Sequence, residues 1–212
     1  MPGMSAFVLL VPVKSPGAGK SRLVGVPDRP GLAAALAIDT VQSALAADLV
    51  ARVLVTTDDE AFAATLRDLG AATTRDPGGG LNAALREAAA EAARRWPDLR
   101  PAALLADLPA LRPEDLDQAL ASIAAAGAGS HFVADADGTG TVLYAAPRAS
   151  FLPRFGVGSA RAHEDAGARP VRGLLASLRR DVDDLPSLED AVGLGVGPRT
   201  RAALAASPGS EA

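Results

Sequence analysis

The chain of 212 residues has no cysteine, only two histidines, few aromatic residues and no excess of positive charge. Without cysteine there can be no disulfide, thiolate nucleophile or cysteine metal site, and two histidines make a histidine-rich zinc site improbable. The net charge of -4 argues against general affinity for nucleic acid or membrane lipid, although a local basic pocket can still bind a small anion. No apolar run reaches membrane-spanning length, and no signal peptide is evident. We therefore expect a soluble, cytoplasmic protein.

Alanine, leucine and valine must fill the core, because hydrophobic residues make up 49% of the chain and aromatic residues only 3%. Small side chains of this kind suit helices packed closely on a sheet. The length fits one domain with a sizeable core, which we place at residues 1–206. We expect residues 207–212 to form a disordered tail.

An acidic residue directly follows the apolar run at residues 102–106, which predicts a strand buried on both faces. The strand cannot continue beyond Pro109, so Asp107 lies at its carboxyl end. Ligands of open parallel sheets bind at that edge, where a carboxylate can hold a metal ion. The alternative is an ordinary turn or capping aspartate.

A basic, glycine-containing loop follows the first predicted strand, residues 6–13. The loop carries Lys14, Lys20 and Arg22. A Walker A motif is excluded, because Lys14 occupies the position where the motif requires its first glycine. Backbone N–H groups beside these cations favour binding of a polyphosphate over a simple solvated turn.

Two further loops offer contacts to a nucleotide. Asp58 follows the predicted strand at residues 52–55, although it could instead cap the next helix. Gly80 belongs to a run of three glycines that lets backbone approach a ligand closely. Asn82 carries a donor and an acceptor, as recognition of a base edge requires, or it simply begins a helix.

The next two strands, residues 131–134 and 142–146, could form a hairpin that breaks the strand–helix alternation. Beyond them, Gly156 and Gly158 precede Ser159, which we predict as the N-cap of a helix. A helix start with free N–H groups suits phosphate or carboxylate, although an ordinary capped helix is the commoner case. We predict His163 to be a solvated residue of that helix.

The last informative stretch carries two alternating carboxylates, Asp181 and Asp183. On extended backbone both point to one side, where they repel each other unless a cation lies between them. Magnesium prefers such oxygen ligands. The alternative is a solvent-facing acidic turn.

These pieces, taken in order, resemble the guanylyltransferase family that builds the deazaflavin coenzyme F-420 and includes phosphoenolpyruvate and 2-phospho-L-lactate enzymes. The resemblance covers nearly the whole chain, and the joint order of its short motifs is more specific than any one of them. One departure is Ala106, where many relatives carry glycine. The resemblance implies a single-domain α/β nucleotidyltransferase of the glycosyltransferase-A type, Rossmann-like, with a mixed, mainly parallel sheet and helices on both faces. The matching motifs are Lys14 to Leu23, Val55-Thr56-Thr57-Asp58, Gly80-Leu81-Asn82, Asp107-Leu108-Pro109, Gly138-Thr139-Gly140-Thr141, Arg154-Phe155-Gly156 with Ser159, and Asp181-Val182-Asp183.

The resemblance also implies how the site is divided. Thr141, Gly156 and Ser159 match the positions that bind the phosphorylated three-carbon acid. The magnesium ligands would be Asp107, Asp181 and Asp183. The nucleotide side would comprise Lys14, Lys20, Arg22, Asp58, Gly80 and Asn82.

The implied reaction is attack of the acceptor phosphate on the α-phosphorus of GTP, with Mg²⁺ as cofactor and pyrophosphate as leaving group. Asp107, Lys14 and Lys20 would carry the catalysis. The composition, rich in alanine and arginine, favours phosphoenolpyruvate over 2-phospho-L-lactate by association with GC-rich actinobacteria. A related nucleotidyltransferase with another acceptor and a non-catalytic nucleotide-binding module remain alternatives, and a homodimer is one option for the assembly.

Overall fold

The computed structural model describes residues 7–14, residue 23 and residues 26–206. Within these ranges the chain forms a seven-stranded sheet flanked by helices. The strands are β1 (Phe7–Pro12), β2 (Val50–Thr57), β3 (Ala72–Arg75), β4 (Arg100–Leu104), β5 (His131–Ala134), β6 (Thr141–Ala145) and β7 (Arg169–Pro170). The helices are α1 (Arg29–Ala46), α2 (Glu60–Asp68), α3 (Leu81–Arg95), α4 (Pro113–Ala125), α5 (Ser159–Asp165), α6 (Ala176–Arg179), α7 (Leu185–Leu194) and α8 (Pro198–Ala206).

The sheet is mixed and mainly parallel, with the order β3–β2–β1–β4–β6–β5–β7. The first four strands of that order are parallel, β6 runs antiparallel to both β4 and β5, and β5 pairs in parallel with β7. The predicted fold class and the predicted hairpin are therefore confirmed. The chain order reverses between the neighbours β1 and β4, and such a switch point opens a crevice at the carboxyl ends of the strands.

Strand β1 is buried on both faces, which is why its sequence reads as a continuous apolar run. Phe7, Leu9 and Val11 pack in one cluster with residues of α1, α2 and α4. Val8 and Leu10 pack in a second cluster with residues of α3 and α5. Alternate side chains of one strand thus enter opposite layers, and the prediction of helices on both faces is confirmed.

Helix α3 shows how a chain poor in aromatic residues fills its interior. Ala84, Ala88 and Ala92 recur every fourth residue and are buried against the sheet together with Leu85. Methyl groups on this face let the helix backbone approach the strands closely, in keeping with the close packing of protein interiors. No helix in the described ranges combines the length and apolarity that crossing a bilayer requires.

Some element boundaries differ from the sequence-based prediction. Strand β4 begins at Arg100 and ends at Leu104, two residues earlier at each end than predicted. The guanidinium of Arg100 anchors the start, because it donates to the carbonyls of Gly127 and Gly129 just after α4. Residues 169–178 contain the short strand β7 and the beginning of α6.

The C-terminal helices cover one end of α1 and fix the segment that carries the second acidic motif. Leu36 of α1, Leu188 and Ala191 of α7, and Val196 share a third apolar cluster. The buried carboxylate of Asp39 accepts the N–H groups of Arg199 at 3.1 Å and Thr200 at 2.7 Å, at the start of α8. A carboxylate in that position stabilises a helix N-terminus.

Candidate active site

Three carboxylates that are far apart in the sequence meet beyond the carboxyl end of β4. Asp107 follows β4, whereas Asp181 and Asp183 lie between α6 and α7. One carboxylate oxygen from each residue lies within 4.8 Å of the oxygens from the other two. The structure thus brings together the three residues that were predicted as metal ligands, and we call them the acidic cluster.

The inward side chain of Val182 explains why its two acidic neighbours point the same way. Val182 is fully buried in the cluster of α1 and α7, and its N–H donates to the carbonyl of Asp107 at 3.0 Å. Residues on either side of an inward residue on extended backbone project outward together. The same main-chain hydrogen bond joins the two acidic segments.

The loop after β4 is held from a second side by α1. The hydroxyl of Thr40 accepts the N–H of Leu108 at 3.0 Å and donates to the carbonyl of Leu36 at 2.8 Å. The N–H of Gly197 donates to the carbonyl of Pro109 at 2.9 Å. Main-chain groups of Asp107, Leu108 and Pro109 are thus all hydrogen-bonded, and the backbone that carries the Asp107 carboxylate is fixed. Thr40 was not singled out in the sequence, where a threonine inside a helix gives no such signal.

The acidic cluster concentrates negative charge. Burial, together with the neighbouring charges of Asp107, Asp183 and Asp135, raises the pKa of Asp181 to about 7. Like charges that crowd together in this way are relieved by a proton or a cation. The donors are all carboxylate oxygens, the ligands that a hard divalent cation such as Mg²⁺ prefers, so the residues present fit a magnesium ion.

A cavity of about 550 Å³ opens at the carboxyl ends of β1, β2 and β3. Lys14, Asp58 and Gly80, three of the residues predicted for the nucleotide side, line it together. Its other lining residues are Pro12, Val13, Arg75, Asp76, Pro77, Gly78, Leu81 and Ala84. We call this space the nucleotide cavity. It neighbours the acidic cluster, since β1 and β4 are adjacent strands and Lys14 and Asp107 follow their ends.

The glycine run shapes one wall of the nucleotide cavity. Gly80 is the N-cap of α3 and has φ of 89°, a left-handed conformation that favours glycine. Gly80 offers no side chain to cap the 15-residue helix α3, and Leu81, the first residue of that helix, lines the cavity. The carboxylate of Asp76 accepts the N–H of Gly78 at 2.8 Å and closes the preceding turn. Lys20 and Arg22, the other predicted cations, lie outside the described residues.

The three residues predicted to bind the acceptor lie around the start of α5. Thr141 begins β6 and is buried, and Ser159 is the first residue of α5 and is also buried. Gly158, with φ of 70°, is the N-cap, so the prediction that Ser159 caps this helix is wrong by one residue. The left-handed glycine turns the chain into the helix one residue earlier. The N–H of Ser159 donates to the carbonyl of Gly156 at 3.1 Å.

His163 is buried, and the prediction that it is a solvated helical residue is wrong. Its Nδ1 lies 3.0 Å from the hydroxyl of Thr141, and its Nε2 accepts the N–H of Arg154 at 2.9 Å. Its ring centroid lies 4.5 Å from that of Tyr144 and 5.5 Å from that of Phe155. Burial lowers the pKa of His163 to about 4. The sequence held one signal that His163 faces the site: it follows Ser159 by four residues and so lies on the same face of α5.

Asn82 faces a main-chain segment rather than the nucleotide cavity. Its amide N–H donates to the carbonyl of Phe155 at 2.9 Å, and its amide oxygen accepts the N–H of Phe155 at 2.8 Å. Both halves of the amide are thus engaged, and the contact to a nucleotide base predicted for Asn82 stays a prediction. What the structure shows is a clamp between the first turn of α3 and the segment before Gly156.

Known proteins resemble this chain in sequence and in fold. The sequence model of the MobA-like NTP transferase domain matches residues 19–184. A solved structure from Desulfovibrio desulfuricans G20, assigned as a nucleotide-diphospho-sugar transferase, superposes with a TM-score of 0.68 at 20% identity over 95% of each chain. The structure of CMP:2-keto-3-deoxy-manno-octonic acid synthetase superposes with a TM-score of 0.56 at 16% identity, over 90% of this chain and 98% of that one. These structural similarities support the fold.

The chain belongs to the MobA-like NTP transferase family. Within that family it groups with the phosphoenolpyruvate guanylyltransferases. It is 49% identical to that of Salinispora arenicola, over 92% of this chain and 91% of the relative. It is 50% identical to that of Thermomonospora curvata, over 96% and 92% of the two chains. The family resemblance predicted from the short motifs is confirmed.

Proposed function

We propose that the protein transfers GMP from GTP to the phosphate of phosphoenolpyruvate, releasing pyrophosphate, as a step of coenzyme F-420 biosynthesis. The observation that carries the proposal is the acidic cluster beside the nucleotide cavity, at the switch point of the sheet. The identity of 42–50% to chains named phosphoenolpyruvate guanylyltransferase supplies the reaction.

The chemistry requires two anions to meet. An oxygen of the acceptor phosphate attacks the α-phosphorus of GTP and forms a new P–O bond. The bond from the α-phosphorus to the α,β-bridging oxygen breaks, and pyrophosphate leaves with that electron pair. The attacking phosphate is already ionised at neutral pH, so no strong general base is needed. Positioning and charge neutralisation therefore supply most of the rate enhancement.

The acidic cluster would hold Mg²⁺, which when bound offsets the repulsion between the two phosphates and the charge that develops at reaction. Lys14 extends from the end of β1 to the nucleotide cavity, where its ammonium group would hold the β- and γ-phosphates and stabilise the leaving group. We assign the same part to Lys20 and Arg22 from the sequence. Thr141, Ser159 and the backbone at Gly156 would bind the acceptor.

Phosphoenolpyruvate and 2-phospho-L-lactate differ by reduction at one carbon, and one anion site could hold either. The names of the relatives favour phosphoenolpyruvate. The proposed partners are thus GTP, the phosphorylated acid and Mg²⁺. We expect the protein to act in the cytoplasm and to bind neither nucleic acid nor membrane. A homodimer stays an expectation that size-exclusion chromatography with light scattering can check.

Pyrophosphate release measured with a panel of substrates tests the proposal. With Mg²⁺ and GTP, phosphoenolpyruvate should release pyrophosphate and yield a guanylylated product by mass spectrometry, and 2-phospho-L-lactate should do so less efficiently. CTP, ATP and UTP should be poor donors. Release with another acceptor only would favour a related nucleotidyltransferase. Binding of GTP without any release would favour the regulatory module, and phosphate release without an acceptor would favour an NTPase.

A further inference from the structure

One buried imidazole connects all three elements that are predicted to bind the acceptor. His163 lies 3.0 Å from the hydroxyl of Thr141 through Nδ1. Through Nε2 it accepts the main-chain N–H of Arg154, two residues before Gly156. Ser159 lies four residues earlier in the same helix, α5, so the ring and Ser159 share one element.

Aromatic neighbours hold the ring in one orientation. Tyr144 and Phe132 stack on it at centroid distances of 4.5 and 5.8 Å, and Phe155 meets it edge-on at 5.5 Å. His163 is completely buried. A ring packed on three sides and hydrogen-bonded through both nitrogens cannot turn over without losing several of these contacts.

The hydrogen bonds fix which nitrogen carries the proton. A main-chain N–H can only donate, so Nε2 must accept from Arg154 and is unprotonated. In the neutral ring the proton then lies on Nδ1, which donates. Thr141 Oγ1 is therefore an acceptor in its contact with His163.

This assignment determines what the hydroxyl of Thr141 can offer a ligand. With one lone pair of Oγ1 directed at Nδ1–H, the hydroxyl proton is directed elsewhere. A hydroxyl in this state donates a hydrogen bond, which is what an anionic oxygen of a phosphate or carboxylate needs. Without the imidazole the hydroxyl could rotate and present a lone pair to the anion instead.

We propose that His163 is a positioning residue for the acceptor, which orients the hydroxyl of Thr141 as a donor and fixes the backbone before Gly156. The inference rests on the proposed function, because it takes the ligand of Thr141 to be the phosphorylated acid. It predicts that loss of His163 weakens acceptor binding selectively and leaves the GTP interaction intact.

Steady-state kinetics of matched variants test this proposal. His163→Phe keeps an aromatic ring but loses both hydrogen bonds, so the KM for phosphoenolpyruvate should rise about 10-fold or more while the KM for GTP changes less than about twofold. His163→Asn places an amide N–H near the position of Nδ1 and should recover much of this loss. Thr141→Val should raise the same KM, and adding His163→Phe to Thr141→Val should cost clearly less than His163→Phe costs alone, because only the hydrogen bond to Arg154 is then left to lose.

A histidine that only packs the core would give a different pattern. The increases in KM caused by Thr141→Val and His163→Phe would then multiply. His163→Asn would recover none of the loss, and the KM values for phosphoenolpyruvate and GTP would rise together. Any of these results with a folded variant overturns the proposal.

A measurement on the unaltered protein tests the proposal even if the variants fail to fold. The chain has two histidines, so ¹⁵N NMR of histidine-labelled protein shows two rings, which a His131→Gln variant assigns. The ring of His163 should be protonated on Nδ1 and not on Nε2, and its Nδ1 signal should shift on addition of phosphoenolpyruvate but not of GTP. The opposite tautomer, or no response to phosphoenolpyruvate, contradicts the inference.

The two proposals fail in distinguishable ways. If the unaltered protein releases no pyrophosphate with any acceptor, the proposed function is wrong whatever the tautomer of His163. If the unaltered protein is active and His163→Phe leaves the KM for phosphoenolpyruvate unchanged, only the inference about His163 is wrong.

Discussion

The two sides of the candidate active site are built in opposite ways. The nucleotide cavity is open and lined by exposed groups such as Lys14, Asp58 and Gly80. The proposed acceptor side contains Thr141 and Ser159, which are buried around an imidazole. The first side depends on residue types that bind phosphate from a loop, and the second depends on a network of fixed hydrogen bonds. The acidic cluster lies at the carboxyl edge of the same sheet.

The largest effect should come from the cluster, on which both sides depend. Asp107→Asn removes one negative ligand without changing size, and pyrophosphate release should fall by about 1,000-fold or more because charge neutralisation between the reactants is lost. Thermal unfolding should change little. Activity near that of the unaltered protein would contradict a metal-binding role for Asp107.

Asp117→Asn is the matched control. Its carboxylate accepts the N–H groups of Asp48 and Leu49 at 2.9 and 2.8 Å, just before β2. That is the opposite edge of the sheet from the acidic cluster. The substitution should lower Tm by about 2–5 °C through weakened hydrogen bonds and leave kcat and both KM values unchanged.

The next largest effect should be confined to the nucleotide side. Lys14→Ala should lower kcat/KM for GTP about 10- to 100-fold, because a charge-assisted contact to phosphate is lost, while the KM for phosphoenolpyruvate stays within about threefold. Lys14 and Lys20 are the only lysines in the sequence. Reductive ¹³C-methylation therefore gives an NMR spectrum simple enough to follow both, and GTP should shift their signals. If Lys14→Ala lowered kcat/KM equally for GTP and for phosphoenolpyruvate, the proposed division into a nucleotide side and an acceptor side would be contradicted.

A smaller effect should come from the clamp that joins the two sides. Asn82→Ala loses both hydrogen bonds to Phe155, so the KM for phosphoenolpyruvate should rise about 10-fold with the KM for GTP nearly unchanged. Asn82→Asp keeps the acceptor and loses the donor, and should give an intermediate value. A rise in the KM for GTP alone would instead favour the predicted contact between Asn82 and the base.

The smallest effect is on stability and concerns Asp181. Its pKa is raised to about 7 in the folded chain, above the usual value of 3.8, so folding takes up a proton between these two values. Stability of the metal-free protein should therefore rise as pH falls from about 8 toward about 5. In EDTA at about pH 8, Asp181→Asn should raise Tm by about 3–6 °C, because it removes the cost of burying a charged carboxylate and its like-charge repulsion, together worth about 1–2 kcal/mol after solvent screening. The variant should also lose the dependence on pH. A lower Tm for the variant would contradict this electrostatic account.

The fold and the exposed side of the site follow from local patterns. Apolar runs and their breaks placed β1, β2 and β4 to β6 within a few residues. Lys14, Asp58 and Gly80 were singled out because their residue types suit a nucleotide, and the structure shows that they line one cavity. The alternation around Val182 correctly predicted that Asp181 and Asp183 point together.

The buried side could not be predicted in the same way. His163 is buried because the hairpin of β5 and β6 places Phe132 and Tyr144 against its ring. This contact joins separate elements, so the sequence pattern within α5 could not predict it. Thr40 and Asn82 are similar, since each bonds a main-chain group 68 or more residues away. In the sequence both residues fit an ordinary helix, and only the tertiary structure defines their hydrogen-bond partners.

The central claim is that three distant carboxylates form one metal site between the two substrates. Titration with Mn²⁺, followed by electron paramagnetic resonance in the presence of a GTP analogue with a non-cleavable α,β-bond, tests it most directly. The unaltered protein should hold Mn²⁺ that Mg²⁺ displaces, and Asp107→Asn and Asp181→Asn should each bind it at least about 10-fold more weakly, while Asp117→Asn binds it normally. Equal Mn²⁺ affinity in all four proteins would contradict the account.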